Sequence, residues 1–237
     1  MDFYALVEEW PDESLVSFRE LPGCLSTAPT AQEAIEKAPE AIAAYLLWLQ
    51  QHTIFCLEEE IDSINVVVKE RLRADRVGLR FEADLAAPTD REIANALTVA
   101  RAARAQLAEL YNEVLSAQRS SAFTPGEWSL TDHLQHILKA EAYYVGCLND
   151  QPPEAILPVA ETELPMKLIE NGMNYETFLR GLTPEQRAHV SIHGEAQWTA
   201  AKVLRRLTEH LRDHYAGMQA IVGQFSTHSL AEPEPGG

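Results

Sequence analysis

Cysteine and long apolar runs are scarce in this 237-residue sequence. Its three cysteines, at positions 24, 56 and 147, lie far apart, which excludes a disulfide framework and a Cys-x-x-Cys metal site. The best apolar stretch, residues 41–49, is much shorter than the roughly 20 residues that span a bilayer. The first residues contain no basic stretch ahead of an apolar one, so we expect no signal peptide and a cytoplasmic protein.

Positive charge is scarce as well. The sequence contains 19 lysine and arginine residues against 36 acidic ones, a net charge of −17, and acidic residues outnumber basic ones on both sides of residue 87. Nucleic acids and anionic membranes are bound by clustered basic side chains that neutralise phosphate. We therefore expect neither of them as a partner.

Residues 1–87 have the pattern of a small β-sheet with one helix. Alternating or short apolar runs at residues 3–7, 15–18 and 64–68 predict strands. Thr30 and Glu33 have the spacing of a capping box, and the apolar stripe that follows predicts a helix. Pro39 lies inside this helix and is expected to kink or divide it. The acidic run at residues 58–60 predicts a solvated face.

Three segments of this region resemble the HicB-type antitoxin domain. They are Tyr4-Ala5-Leu6-Val7, Phe18-Arg19-Glu20-Leu21-Pro22-Gly23-Cys24 and Thr30-Ala31-Gln32-Glu33-Ala34. The resemblance covers about the first 55 residues. It implies a small β-sheet with a helix, related to a truncated ribonuclease H fold, that acts as a binding or docking module for a protein partner.

From Pro88 onward the pattern is helical. Thr89 and Glu92 form a second capping box, and amphipathic segments predict four main helices, at about 90–115, 130–149, 164–182 and 200–224. Their order and connections predict an all-α four-helix bundle. The fold class is therefore α+β, with a HicB-like module at 1–87, a helical bundle at 88–225 and a disordered acidic tail at 226–237.

Two pairs of histidines have the spacing of metal ligands. His210 and His214 are four residues apart, so both imidazoles lie on one helix face, while His133 and His136 are three apart on another helix. Facing helices of a bundle can bring one of the second pair to His210 and His214. Three imidazoles around an ion leave one coordination position open. Spacing alone also allows buried neutral histidines without a metal.

The residues around these histidines resemble the DinB-like superfamily of four-helix bundles. The matching segments are Glu127-Trp128-Ser129-Leu130-Thr131-Asp132-His133-Leu134-Gln135-His136-Ile137, Trp198-Thr199 and Glu209-His210-Leu211-Arg212-Asp213-His214. The resemblance covers about residues 88–224. It implies that His136, eight residues after the tryptophan, binds a divalent metal together with His210 and His214. We expect zinc, with nickel, iron or manganese as alternatives.

The DinB-like resemblance also implies a function. Members of this superfamily include metal-dependent S-transferases, so the chain is expected to activate a low-molecular-weight thiol, for attack on an electrophile, or water for hydrolysis. The alternative is a non-enzymatic stress-response or partner-binding protein with a structural or vestigial metal. A homodimer is also expected by analogy.

The residues near these histidines also have expected roles. Carboxylates near them are candidate hydrogen-bond partners of the ligands, and nearby aromatic residues are expected in the core. His133 is expected at the rim of the site, and His189 and His193 in an exposed loop. The carboxylates are Asp132, Glu209 and Asp213, and the aromatic residues are Trp128, Tyr143, Tyr144 and Trp198.

Overall fold

A computed structural model describes residues 1–54, 63–73, 80–122, 126–148 and 158–229, with side chains as far as residue 225. The strands are β1 (Asp2–Glu9), β2 (Ser14–Phe18), β3 (Leu25–Ala28), β4 (Asn65–Arg73), β5 (Ser191–His193) and β6 (Ala196–Trp198). The helices are α1 (Ala31–Gln51), α2 (Asp90–Glu113), α3 (Ser116–Arg119), α4 (Leu130–Gly146), α5 (Leu164–Arg180), α6 (Pro184–Ala188) and α7 (Ala200–Ser229). Short 3-10 helices cover Glu82–Leu85 and Glu161–Glu163. The acidic run at 58–60 lies outside the described residues.

The N-terminal unit, residues 1–54 and 63–73, is a four-stranded sheet with one helix. The strand order is β3-β2-β1-β4, with β1 antiparallel to β2 and parallel to β4. The parallel pair needs a crossover, which contains α1. Three strands were predicted and β3 was not, because its four residues, Leu-Ser-Thr-Ala, have no strong apolar alternation. The sheet and helix agree with the predicted α+β class, and the HicB-like assignment stays a prediction.

Helix α1 begins where the sequence predicts but is not divided at Pro39. Thr30 is the N-cap, and its side chain accepts a hydrogen bond from the Glu33 backbone amide. The helix continues through Pro39 to Gln51. Pro39 is exposed, so the backbone carbonyl that loses its partner can be hydrated on the solvent side of the helix.

Both faces of the sheet are covered. Side chains alternate along β1, and Phe3, Ala5 and Val7 belong to the core that the sheet forms with α1. Leu6 and Glu8 point the other way and are also buried, at 3% and 1% exposure. The second face packs on the helices that follow, so the N-terminal unit has little free sheet surface along β1.

The second half of the chain is a helical bundle, as predicted. α2 and α4 each pack against both α5 and α7, so the α4–α7 seam is one of the four sides of the bundle. Thr89, Ser129 and Thr183 each form a capping box with the residue three positions later. These boxes fix where each helix starts and which side chains face the core.

The structure corrects three details of the helical prediction. The bundle is not all-α, because residues 191–198 form the antiparallel hairpin of β5 and β6 rather than a loop. The last helix extends to Ser229, so the first residues of the predicted tail are helical, and residues 230–237 lie outside the described chain. The helix predicted at about 90–115 ends at Glu113, and Leu115 beyond its end is 71% exposed.

No helix in the described part of the chain is sufficiently long and apolar to cross a membrane.

Candidate metal centre

The seam between α4 and α7 brings four histidines together. The capping box at Ser129 and Asp132 starts α4 and sets its rotation, which directs His133 and His136 toward α7. One turn separates His210 from His214 on the facing helix, so both imidazoles meet those of α4.

Three of the four histidines converge through the same ring atom. The Nε2 atom of His136 lies 3.0 Å from Nε2 of His210, which lies 2.9 Å from Nε2 of His214. The ligand atoms of the three residues all fall within 4.8 Å of one another. A tetrahedral zinc ion with Zn–N bonds of about 2.0–2.1 Å would hold its nitrogens roughly 3.3 Å apart. The site therefore needs only small ring movements to accept an ion.

Hydrogen bonding alone cannot satisfy this arrangement. An imidazole Nε2 carries either one proton or one lone pair, and His210 Nε2 faces two other imidazole nitrogens at hydrogen-bond distance. It can serve only one of them. A single cation that accepts a lone pair from each Nε2 would use all three, which fits the donor set present here.

The protonation state of the cluster also suits a metal. Burial, together with the neighbouring imidazoles, lowers the pKa of His214 to about 2, and burial lowers that of His210 to about 3, with His136 the next cause. Burial also lowers the pKa of His136. These side chains are therefore neutral near pH 7, and each has a lone pair available for a ligand bond.

His133 is a partner of the cluster rather than a fourth ligand. Its Nδ1 lies 2.6 Å from Nδ1 of His214, on the edge of that ring opposite Nε2. Gly217 makes room for it, because a Cβ at that position would lie 2.9 Å from Cε1 of His133. Beyond lining the rim as expected, His133 can accept the Nδ1 proton of His214 and so present the Nε2 lone pair to an ion.

Two aromatic residues flank the cluster. Trp128 was expected in the core but is 43% exposed, and its ring stacks on His214 at 5.5 Å and tilts over His136 at 4.7 Å. It precedes the N-cap of α4, where helical periodicity does not predict side-chain direction. Tyr144 packs edge-on against His210, at 5.7 Å, and burial raises its pKa to about 12, so its hydroxyl stays protonated. Of the other two predicted core residues, Trp198 is buried and Tyr143 is 38% exposed.

The predicted carboxylate partners of the ligands have other roles. Asp132 accepts hydrogen bonds from the backbone amide and hydroxyl of Ser129. Glu209 is buried and binds Arg205 and Arg206. Asp213 is exposed, and no hydrogen bond joins any of these three carboxylates to the histidine cluster among the described residues. Glu209 and Asp213 were predicted because they are adjacent to the histidines, but consecutive positions on a helix are about 100° apart and point elsewhere. Asp132 was predicted because it lies one turn before His136, but its carboxylate is used by the capping box with Ser129.

Three other histidines with described side chains are not part of the cluster. His193 is in strand β5, with Nε2 3.1 Å from the Cys147 carbonyl oxygen, so the loop expected there is a strand. His189 is exposed, as expected. His52 donates from Nδ1 to the Trp48 carbonyl oxygen at 2.8 Å.

Comparison with known proteins gives little further information. No family model matches the chain, and no curated protein matches it. Among solved structures, YfiT from Bacillus subtilis, described as a probable metal-dependent hydrolase with an unusual four-helix bundle topology, is similar with a TM-score of 0.49 and 16% identity. The match covers 59% of this chain and 90% of that one. A likeness at this level carries no argument about the chemistry of this chain.

Proposed function

We propose that this protein binds one divalent metal ion through His136, His210 and His214 and is a metal-dependent hydrolase or S-transferase of the DinB-like type. The convergence of the three Nε2 atoms is the observation that carries the proposal. Zinc is the first expectation, and nickel and iron are alternatives because neutral imidazole suits all three. Manganese, the remaining alternative, prefers oxygen ligands and is the least suited to this donor set.

Three protein ligands leave a position for a substrate or water, which is how catalytic zinc sites differ from closed structural ones. A water or a thiol bound at that position would have its pKa lowered toward neutrality by the ion, which would make a nucleophile available. The sequence resemblance at residues 127–137 and 209–214 supports the thiol-handling alternative.

The surrounding side chains have definite roles in this proposal. His133 orients His214 through the Nδ1 contact. Trp128 covers one side of the imidazoles and limits the access of solvent there. The ring of Tyr144 packs edge-on against His210 and helps to hold that imidazole in place.

Metal analysis of untagged protein tests the proposal. We expect one ion per chain in the wild-type protein and loss of most of it in each of His136→Ala, His210→Ala and His214→Ala. His189→Ala is the matched control, because it removes an exposed histidine away from the cluster and should retain the ion. Stoichiometric metal in any of the three cluster variants would contradict the assignment.

Cobalt substitution distinguishes a catalytic site from a structural or vestigial one. If one position is open, a small thiol such as 2-mercaptoethanol should bind the cobalt protein and add a sulfur-to-metal charge-transfer band. A cobalt spectrum that no added thiol or anion changes would favour the non-enzymatic alternative.

A further inference from the structure

A cavity of about 260 Å³ lies where the N-terminal unit meets the last helix. β3, α1 and the turn before β3 form one wall, and α7 forms the other. Polar side chains of Thr27, Tyr45, Arg212 and Asp213 line it, with small apolar residues between them. Its size is just below the roughly 300 Å³ at which pockets for drug-sized ligands begin, so it suits a smaller molecule.

Arg212 is an unusual cation for this chain. No carboxylate pairs with it among the described residues, whereas the buried arginines at 104 and 205 are both paired. Its Nε and Nη1 atoms are enclosed by the protein without a hydrogen-bond acceptor in the part of the chain that the structure describes, so Nη2 is the guanidinium nitrogen left to meet a ligand. The guanidinium lies 4.2 Å from the Trp48 ring, and burial lowers its pKa. A cation–π contact only partly replaces a missing anion.

The turn at residues 21–24, Leu-Pro-Gly-Cys, builds the wall beside Arg212. Gly23 has φ +84°, and a Cβ there would lie 3.1 Å from Cγ of Arg212. The hydroxyl of Tyr45 donates to the Pro22 carbonyl oxygen, which fixes the turn against α1. The Leu-Pro-Gly-Cys turn is not part of the histidine cluster. Its role here is to form part of the cavity wall through Gly23.

Asp213 supplies the opposite charge on the same cavity. Consecutive helix positions are rotated by about 100°, so Arg212 and Asp213 reach the cavity from different sides and do not pair with each other. Leu25, Ala41, Ala44 and Ala216 give the lining an apolar part. A ligand that satisfies this lining has an anionic group, a cationic group and a short aliphatic chain.

We propose that this junction cavity binds a zwitterionic aliphatic α-amino acid, with its carboxylate on Arg212, its ammonium on Asp213 and its side chain on the alanine-rich wall. The carboxylate supplies a charged partner for Nη2 of Arg212, which lines the cavity and has no carboxylate partner among the described residues. The site does not require the metal centre, so it goes beyond the function proposed above.

Calorimetry with three matched probes tests the proposal. L-Leucine has both charges, 4-methylpentanoate has only the carboxylate and 3-methylbutylamine has only the amine, all on the same aliphatic chain. We expect saturable binding of leucine and affinities at least about tenfold lower for the other two, because each loses a charge-assisted hydrogen bond. No detectable binding of leucine, or equal affinity of leucine and 4-methylpentanoate, would overturn it.

Four variants locate the binding. Arg212→Met keeps the apolar stem and removes the charge, and Asp213→Asn removes the other charge, so each should weaken leucine binding about tenfold or more. Ala44→Phe fills the cavity and should abolish binding, while Ala43→Phe, an exposed neighbour on α1 outside the lining, should leave it unchanged. Unchanged leucine affinity in Arg212→Met or Ala44→Phe would refute the site.

Metal content measured on the same samples separates the two proposals. Leucine binding that persists in the metal-free His136→Ala variant is expected. If the wild-type protein binds leucine but no metal, only the proposed metal-dependent function fails.

Discussion

At the scale of single residues, the contact between His133 and His214 fixes how the proposed metal centre would be organised. For His214 to offer its Nε2 lone pair, its proton must sit on Nδ1, and that atom faces Nδ1 of His133 at 2.6 Å. His133 must then accept through Nδ1 and carry its own proton on Nε2. Partners of this kind fix the tautomer and the orientation of metal-binding histidines.

Replacing His133 should therefore weaken metal binding although it is not a ligand. His133→Phe keeps an aromatic ring beside Trp128 and removes the acceptor, and we expect zinc affinity to fall about 10–100-fold. His133→Asn places an amide oxygen near the position of Nδ1 and should restore most of the affinity. Competition with a chelator of known affinity measures both variants.

Equal losses in the two variants would show that packing rather than the hydrogen bond matters at this position. An unchanged affinity in His133→Phe would remove His133 from the site.

The sequence predicted which histidines converge better than it predicted their surroundings. The spacing of His210 and His214 and the capping box at Ser129 depend on helical geometry alone, which is local and can be deduced without tertiary structure. The position of Trp128 over the imidazoles depends on the path of the chain before the helix starts. Arg205 and Glu209 are four residues apart on α7, so their pairing also follows from helical spacing, whereas the carboxylates of Glu8 and Asp84 that bury it come from distant parts of the chain.

At the scale of elements, Gly172 also has a role that local sequence patterns do not predict. A glycine inside α5 predicts a weak helix, because glycine costs about 1 kcal/mol relative to alanine in a helix interior. The structure gives it a packing role instead. A Cβ at Gly172 would lie 2.7 Å from Cδ of Arg104 and 2.9 Å from its Nε. Arg104 forms an ion pair with Glu141, at 2.6 Å, and both side chains are buried.

Gly172→Ala should destabilise the protein despite the better helix propensity of alanine. The added methyl group displaces the Arg104 side chain and disturbs a buried ion pair, whose disruption typically costs about 3–5 kcal/mol. We expect a loss of roughly 2–4 kcal/mol, because Arg104 can relax in part. Urea unfolding followed by circular dichroism measures the change.

Gly223→Ala is the matched control. Gly223 also lies within a helix, but a Cβ there would meet nothing within 4 Å. This variant should be neutral or more stable by up to about 1 kcal/mol. Equal effects at the two glycines would mean that Arg104 has no part in the cost.

At the scale of the whole molecule, the N-terminal unit and the bundle share buried charges. Glu8 of β1 is 1% exposed and binds Arg205 and Arg206 of α7, at 3.1 Å and 2.6 Å. Asp84 also binds Arg205, at 2.9 Å. The division at residue 87 was predicted from the change of pattern along the chain and stays a prediction. Composition could not reveal that β1 places a carboxylate against the same helix that carries His210 and His214.

A change at Glu8 should consequently affect the whole fold. Although burial alone would raise the pKa of Glu8, Arg206 and Arg205 hold it below its usual range. Glu8→Gln leaves two arginines with a missing partner, and we expect a loss of about 3 kcal/mol at pH 7, in a single transition that both halves share. A carboxylate with a lowered pKa stabilises the folded state above its unfolded pKa of about 4.3. The difference between wild type and variant should therefore shrink as the pH falls below that value.

The adjacent Glu9→Gln is the control, because Glu9 pairs with Arg71 and Arg73 at the surface, where such pairs contribute about 0–1 kcal/mol. Thermal unfolding measures both variants, followed by circular dichroism at 222 nm for the helices and by the fluorescence of the four tryptophans, Trp10 and Trp48 in the N-terminal unit and Trp128 and Trp198 in the bundle. If the halves unfold separately in the wild-type protein, or if Glu8→Gln costs no more than Glu9→Gln, the buried charges do not join them. A single shared transition means that the sheet supports α7, and with it His210 and His214 of that helix.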